Sequence, residues 1–407
     1  MQTIIFDDAG WFRFFPLTMT RSTGDLRCGA LKLRQKIQAA LGIEQTAVLV
    51  HQPLQALYRE RHPDWSVNLL PAGDALLVNS RLRLSEPLIA TIEALSPGVA
   101  LLHEQNILAA RLTTESAELD AGELIPLLDG LGCIEWDGEQ PLWERLWDLV
   151  LANGEQIAAD FADFFYDSES QFDTELGVTV LNPENIWVGE GVVLKPGVVI
   201  DAGEGPVIID EGAHVGANAV IEGPVFIGKG STIKPGAKIL CNTSIGPVCK
   251  VGGEVEDTIF QAYSNKQHDG FLGHAYVGEW VNLGADTNNS DLKNNYKPVK
   301  VHCYDTGGKV DSGSLFVGAA LGDHVKVGIN CSLNTGVVVG VGSNLYGPRL
   351  IRDFIPGFRW GEAGELVSYR LDKFLETAAT VKARRKLTLS AVEKELYRQI
   401  AELESDG

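Results

Sequence analysis

Between positions 264 and 300 the chain gathers side chains able to do chemistry: His268 and His274, the asparagines Asn282, Asn288, Asn289, Asn294 and Asn295, and the lysines Lys266, Lys293, Lys297 and Lys300. A neutral imidazole can take a proton from a nucleophile near neutral pH. Asparagine amides, or the backbone N–H groups of tight glycine corners, can donate to an oxyanion, and ammonium groups can hold phosphate. The same residue types also make ordinary solvated loops. A lone histidine is often structural, and His214, His274, His302 and His324 read that way. Near the N-terminus Arg21 and Arg27 precede a helix expected to begin near Gly29. They can bind phosphate, or they can pair with Asp7, Asp8 or Asp25.

What must position these residues is a six-residue period. Aliphatic side chains recur at Ile209, Val215, Ile221, Ile227, Ile233, Ile239, Ile245 and Val251. The same step links Val188, Leu194 and Ile200 before them, and Leu315, Leu321, Val327, Leu333, Val339 and Leu345 after them. A helix repeats every 3.6 residues and cannot sustain this beat. One short strand plus one corner can, so three units close a triangular coil of about 18 residues whose aliphatic positions stack inward. Of 44 glycines, 30 fall within 181–361, as tight corners require. The beat breaks between Val251 and Val277 and again between Leu283 and Leu315, and both gaps read as loops pushed out of the stack. Such loops on a rigid scaffold are where ligand chemistry is placed.

The first 180 residues read differently. Short β-rich runs at 3–6, 47–50 and 99–102 alternate with helix-like stretches at 31–41 and 87–95, an α/β pattern. Trp136, Trp143 and Trp147 with Leu146 and Val150 have helical spacing and suit a core, or a contact with the second half. After 361, the tail from 371 to 403 has helix-former composition and reads as a cap over the open end of the prism. The expected division is 1–180, 181–361 and 362–407.

Composition excludes several classes. With 407 residues, 45% of them hydrophobic, the chain can build full cores, and global disorder is excluded. The net charge of −20 opposes nonspecific attraction to nucleic acid. Residues 1–180 hold 27 acidic against 12 basic side chains, much of the excess between 115 and 175, which reads as a solvated acidic face. No run reaches the roughly 18 to 20 apolar residues that span a bilayer. Asp7 and Asp8 stand where a signal peptide carries basic residues, so no membrane partner and a cytoplasmic location are expected. The six cysteines are scattered without a C-x-x-C pair, which indicates neither a zinc site nor a disulfide framework.

The hexapeptide region resembles the acyltransferase superfamily built on a left-handed parallel β-helix. The segments 264–275 and 277–287 with Asn295-Tyr296 resemble the acetyltransferase half of the bifunctional N-acetylglucosamine-1-phosphate uridyltransferase and glucosamine-1-phosphate N-acetyltransferase family. Leu17-Thr18-Met19-Thr20-Arg21 and the run 354–361 are similar to a divergent sugar nucleotidyltransferase branch with the same two-domain plan. The resemblance implies a nucleotidyltransferase-like (Rossmann-like) α/β domain fused to a β-helix with a helical tail. It implies a homotrimeric transferase that acetylates an amino-sugar phosphate from acetyl-CoA in nucleotide-sugar biosynthesis. His268 takes the place of the catalytic base, and Lys266, Asn282, Asn295, Tyr296 and Lys300 the place of substrate-binding residues. In the first half, Arg21 and Arg27 become nucleotide-phosphate candidates. Gly73-Asp74-Ala75-Leu76-Leu77 is similar to the family's metal-binding step, which makes Asp74 a candidate for Mg2+ beside a nucleoside triphosphate.

This chain departs from the pattern at several positions. Phe271 replaces a tyrosine, Val255-Glu256 runs into Asp257 where the family has lysine, Asp286 replaces a glycine, and the glycine-rich phosphate loop is missing. The alternative reading is a sugar-1-phosphate nucleotidyltransferase, using UTP or dTTP, whose β-helix serves assembly or regulation. A noncatalytic or carbonic-anhydrase-like prism is a third; it would need converging histidines, and His268 with His274 has no recognised metal spacing.

Overall fold

The computed structural model describes residues 1–170 and 177–405; the end of the acidic stretch, 171–176, and the last two tail positions lie outside the described residues. The N-terminal part is a seven-stranded sheet of β1 (Gln2–Phe6), β2 (Ala47–Leu49), β3 (Ser66–Val67), β4 (Gly73–Asn79), β5 (Val99–His103), β6 (Asn106–Thr114) and β7 (Gly132–Glu135). Its order is β3-β2-β1-β4-β6-β5-β7. Strands β1 to β4 pair in parallel, while β6 runs antiparallel to both β4 and β5. Helices α1 (Leu33–Ala40), α2 (Gln52–Arg61) and α3 (Glu86–Glu93) belong to this α/β unit. Two more, α4 (Leu146–Leu151) and α5 (Asn153–Asp160), turn toward the second half. There Trp143, Leu146 and Val150 pack with Ile259 and Tyr276, and Trp147 packs with Val299, Val301 and Val338.

The second half is a three-sided parallel β-helix. One face starts at Thr179–Leu181 and has six strands, the next starts at Ile186–Val188 and has nine, and the third starts at Val193–Leu194 and has nine parallel strands, to which Val367–Ser368 adds an antiparallel edge. The hexad residues stack in register: Val188 on Ile209, then Ile227, Ile245, Phe260, Val277, Leu321, Val339 and Ile355 along one face. Nearly all the hexad positions are buried. Each such side chain contributes about 1.5–3 kcal/mol of burial.

Two expectations about the beat are corrected. The stretch 252–276 is not pushed out of the stack. Val255 pairs with Leu272, Phe260 with Val277, and Val251 with Lys266, so the coils continue at slightly shorter length. The aliphatic rule fails here because Lys266 occupies an inward position. Leu315 is 39% exposed and outside the ladder, which resumes at Leu321. The genuine excursion lies between Asn288–Asn289 and Ala320–Leu321, and carries the antiparallel hairpin Lys300–Cys303 with Gly308–Asp311.

The tail forms α6 (Leu371–Ala383) and α7 (Ala391–Ser405). Its contacts run along the side of the prism, where Arg385 donates to Asn265 on the third face. Phe374, Leu396, Tyr397 and Ile400 share one core with Val341 and Phe358 of the β-helix and with Leu54, Leu57 and Tyr58 of α2. The amphipathic helices thus fasten the two halves together. Among the described residues, no helix is long and apolar enough to cross a membrane.

Candidate functional site

His268 sits on the corner two residues past the short strand Asn265–Lys266, and its side chain is exposed. Among the described residues its ring makes no hydrogen bond. The backbone beneath it is fixed: Lys266 Nζ donates to the His268 carbonyl at 3.1 Å and to the Gly252 carbonyl at 2.9 Å. Lys266 is 1% exposed. Burial pulls its ammonium down to about 8, against the opposing pull of Asp269 and Asp286. It is a structural strut inside the prism and not a free cation at the surface, which corrects its assignment to phosphate binding. The next coil stacks on the His268 corner, where Asp286 N donates to the Asp269 carbonyl and Phe271 N donates to Asn288 Oδ1 at 2.7 Å.

The other sequence candidates spread over two places. Asn282 lies on the third face, in register with Asn265 and Lys326. Asn295, Tyr296 and Lys300 are exposed on the excursion. Asn295 Oδ1 accepts from Lys297 N at 3.2 Å, and Tyr296 is 71% exposed. Asn289 turns inward, where its amide exchanges two 2.8 Å hydrogen bonds with the backbone of Gly273.

One titratable cluster escaped sequence reasoning. His274 Nδ1 lies 2.9 Å from Asp291 Oδ2, and its Nε2 lies 3.8 Å from Asp257. The three residues recur every 17 positions, one coil apart, which is the signal that could have revealed them. Phe316 stacks on the imidazole at 5.0 Å. Neighbouring Glu256 is pushed up by burial and by the Asp257 and Asp291 carboxylates. The adjoining cavity, lined in part by Arg13, Tyr276 and His302, measures about 30 Å³. That is space for about one water, far short of a sugar.

Arg21 and Arg27 are not where a nucleotide could reach them. Residues 14–30 are buried throughout. Arg21 Nη2 donates to Asp323 Oδ2 at 2.6 Å, with Glu279 3.7 Å away. Burial alone would lower the guanidinium, but Asp323 and Glu279 outweigh it and hold it above its ordinary value. Arg27 spends one nitrogen on the Ala30 carbonyl and lies over the Phe226 ring. Its backbone is clasped by Tyr276, whose hydroxyl accepts from Arg27 N at 2.8 Å and donates to Arg27 O at 3.0 Å. The helix expected near Gly29 begins at Leu33, because Gly29 N and Ala30 N are already bound by Asn153 and Asp160. Both arginines serve the junction between the halves.

Asp74 is held by Arg111 through Nε at 3.1 Å and Nη2 at 2.8 Å. Among the described residues no group of three or more His, Cys, Asp or Glu is placed to hold a metal. A single carboxylate already taken by a forked guanidinium does not fit a magnesium site, which usually needs further oxygen ligands.

These features can be set beside known proteins. Residues 3–167 match the sugar nucleotidyl transferase family. The nucleotidyl transferase-like part thus coincides with the mixed sheet and the helices packed around it. The chain is also similar to bifunctional protein GlmU of Trichormus variabilis, 29% identical over 184 residues that cover 40% of each chain. Its similarity to a bifunctional sugar-1-phosphate nucleotidylyltransferase/acetyltransferase of Sulfurisphaera tokodaii is 36% over 193 residues, covering 42% of this chain and 47% of the relative. The chain spans less than half the length of these curated relatives. Among solved structures, an Arabidopsis UDP-N-acetylglucosamine acyltransferase aligns with 53% of this chain and 80% of its own, at 11% identity and a TM-score of 0.30.

Proposed function

We propose that the chain transfers an acetyl group from acetyl-CoA to the amine of an amino-sugar phosphate such as glucosamine 1-phosphate, with His268 as the base. The observation that carries this reading is the setting of His268: a free imidazole on a corner whose backbone is pinned from inside by Lys266. Similarity to bifunctional nucleotidylyltransferase/acetyltransferases supports the same chemistry.

An amino sugar is largely protonated near neutral pH, and only its neutral amine attacks a thioester. The nitrogen forms the new C–N bond at the acetyl carbon, the amine proton passes to His268 Nε2 or Nδ1, and the C–S bond breaks. The departing sulfur then takes a proton from the imidazolium. Asn282 and Asn295 would orient amine and carbonyl, and Tyr296 and Lys300, exposed on the excursion, would meet the sugar phosphate. The corner backbone N–H groups offer further donors to the tetrahedral oxyanion.

The N-terminal part, on this reading, is a vestigial sugar nucleotidyl transferase retained for its contact with the β-helix. Support comes from the burial of residues 14–30 and the engagement of Arg21 and Asp74 by other side chains. The assembly we propose is a homotrimer acting in the cytoplasm. Thiol release from acetyl-CoA, measured with glucosamine 1-phosphate and a panel of amino-sugar phosphates, tests the reading. Turnover with one of them is expected. Pyrophosphate release from UTP or dTTP with sugar 1-phosphates, without thiol release, would replace it by the nucleotidyltransferase alternative.

A further inference from the structure

Between the third face of the β-helix and the end of α6 lies a cavity of about 300 Å³. Its floor is set by register: Lys250, Asn265, Asn282 and Lys326 follow one another on adjoining strands. Its roof is Arg384 and Arg385, just past the last turn of α6. Four of the lining side chains are basic and none is an acid, in a chain whose net charge is −20; burial pulls one of them, Lys326, down to about 7.

The cations are not spent on one another's counterions. Lys326 is committed, its ammonium donating to the Trp280 and His324 carbonyls. Arg385 reaches only a neutral acceptor, Asn265 Oδ1 at 3.0 Å. Burial, then repulsion from Arg385, Lys234 and Arg384, lowers the Lys250 ammonium. Convergence of like charges is unfavourable, and an anion placed among them reverses the sign of that energy.

One wall is aromatic. Tyr263 stacks on Trp280 with ring centroids 4.4 Å apart and planes 10° from parallel. Both are corner residues with left-handed backbone, φ +54° and +61°. That conformation costs a bulky side chain about 1–2 kcal/mol, and it places two flat rings at the cavity's edge. Trp280 is buried, while Tyr263 is half-buried.

We infer that this cavity binds a phosphate monoester, its dianion held by Lys250, Arg384 and Arg385 and its organic part lying against Tyr263. Asn282 on the cavity floor is shared with the acetyl-transfer reading, but the inference rests on the cavity and its cations and not on acetyl transfer. The organic part can come from a nucleotide or from a sugar phosphate. A base would stack on Tyr263, and a sugar would hydrogen-bond to the asparagine floor.

Calorimetric titration of the full chain at low ionic strength tests it, with inorganic phosphate, uridine 5′-phosphate and glucose 1-phosphate as probes. All three are expected to bind saturably. Tighter uridine 5′-phosphate identifies the nucleotide source, and tighter glucose 1-phosphate the sugar. The double variant Lys250→Gln/Arg385→Gln is expected to weaken every probe by about tenfold or more, the scale of a lost charge-assisted contact. Because it relieves repulsion, it is expected to melt no lower than wild type without ligand. Arg384→Gln, at an exposed position, gives a second variant that leaves the packing untouched. No saturable binding to wild type, or equal affinity in wild type and both variants, overturns the assignment.

Discussion

Arg21 and Asp323, 302 positions apart in the chain, meet at 2.6 Å with both side chains buried. Asp323 does more than neutralise the arginine. Its Oδ2 also accepts from Thr20 Oγ1 at 2.8 Å, and its Oδ1 accepts from Glu279 N at 2.8 Å. One carboxylate therefore joins the start of the nucleotidyl transferase-like domain to two coils of the β-helix. Removing one partner of a buried pair strands the other, at about 3–5 kcal/mol. Asp323→Asn is expected to lower unfolding stability by that amount in urea titration. A loss below about 1 kcal/mol would show that the contact does not hold the halves together.

Lys266 makes a prediction with a sign. Its folded value of about 8 lies below the ordinary lysine value of 10.5, so between those pH values the unfolded chain binds more protons than the folded one. Stability from this group therefore rises with pH across that window, by at most about 1.4 kcal/mol per pH unit. Wild type should gain on Lys266→Met as the pH goes from 8 to 10. A difference that stays flat would mean the ammonium is not desolvated as the ladder position requires.

The His274–Asp291 pair has the geometry of a proton-handling dyad but too little space beside it for a sugar. Asp291→Asn is accordingly expected to leave kcat for thiol release within about threefold and to cost about 1–3 kcal/mol of stability, through a weakened half-buried hydrogen bond. A fall in kcat of about a hundredfold or more, the scale of lost general base catalysis, would transfer the base role to His274.

Much of the fold was legible because a strict chemical period leaves few architectures. The aliphatic hexad positions from Val188 to Leu345 had to face inward, and all but Leu315 do. The period misled where the interior is polar. Lys266 and Asn289 fill inward slots, and their hydrogen bonds to backbone carbonyls of neighbouring corners are invisible to a rule that looks for aliphatic residues. Leu315 kept the beat by coincidence on the excursion. Arg21 and Arg27 looked like phosphate ligands because sequence shows their charge but not Asp323 or Tyr276, partners about 250 to 300 positions away. His268 could be singled out as exposed chemistry on a corner, whereas the dyad required knowing that consecutive coils put residues 17 apart on top of each other.

The most direct test of the central claim is acetyl-CoA thiol release by wild type and His268→Ala on the amino-sugar phosphate that wild type turns over best. An exposed imidazole can be removed without disturbing the prism, so the variant should fold and bind acetyl-CoA as wild type does. Its kcat should fall by about 10²–10⁴ near neutral pH, the range for a lost general base. Undiminished turnover in a folded His268→Ala would contradict the account.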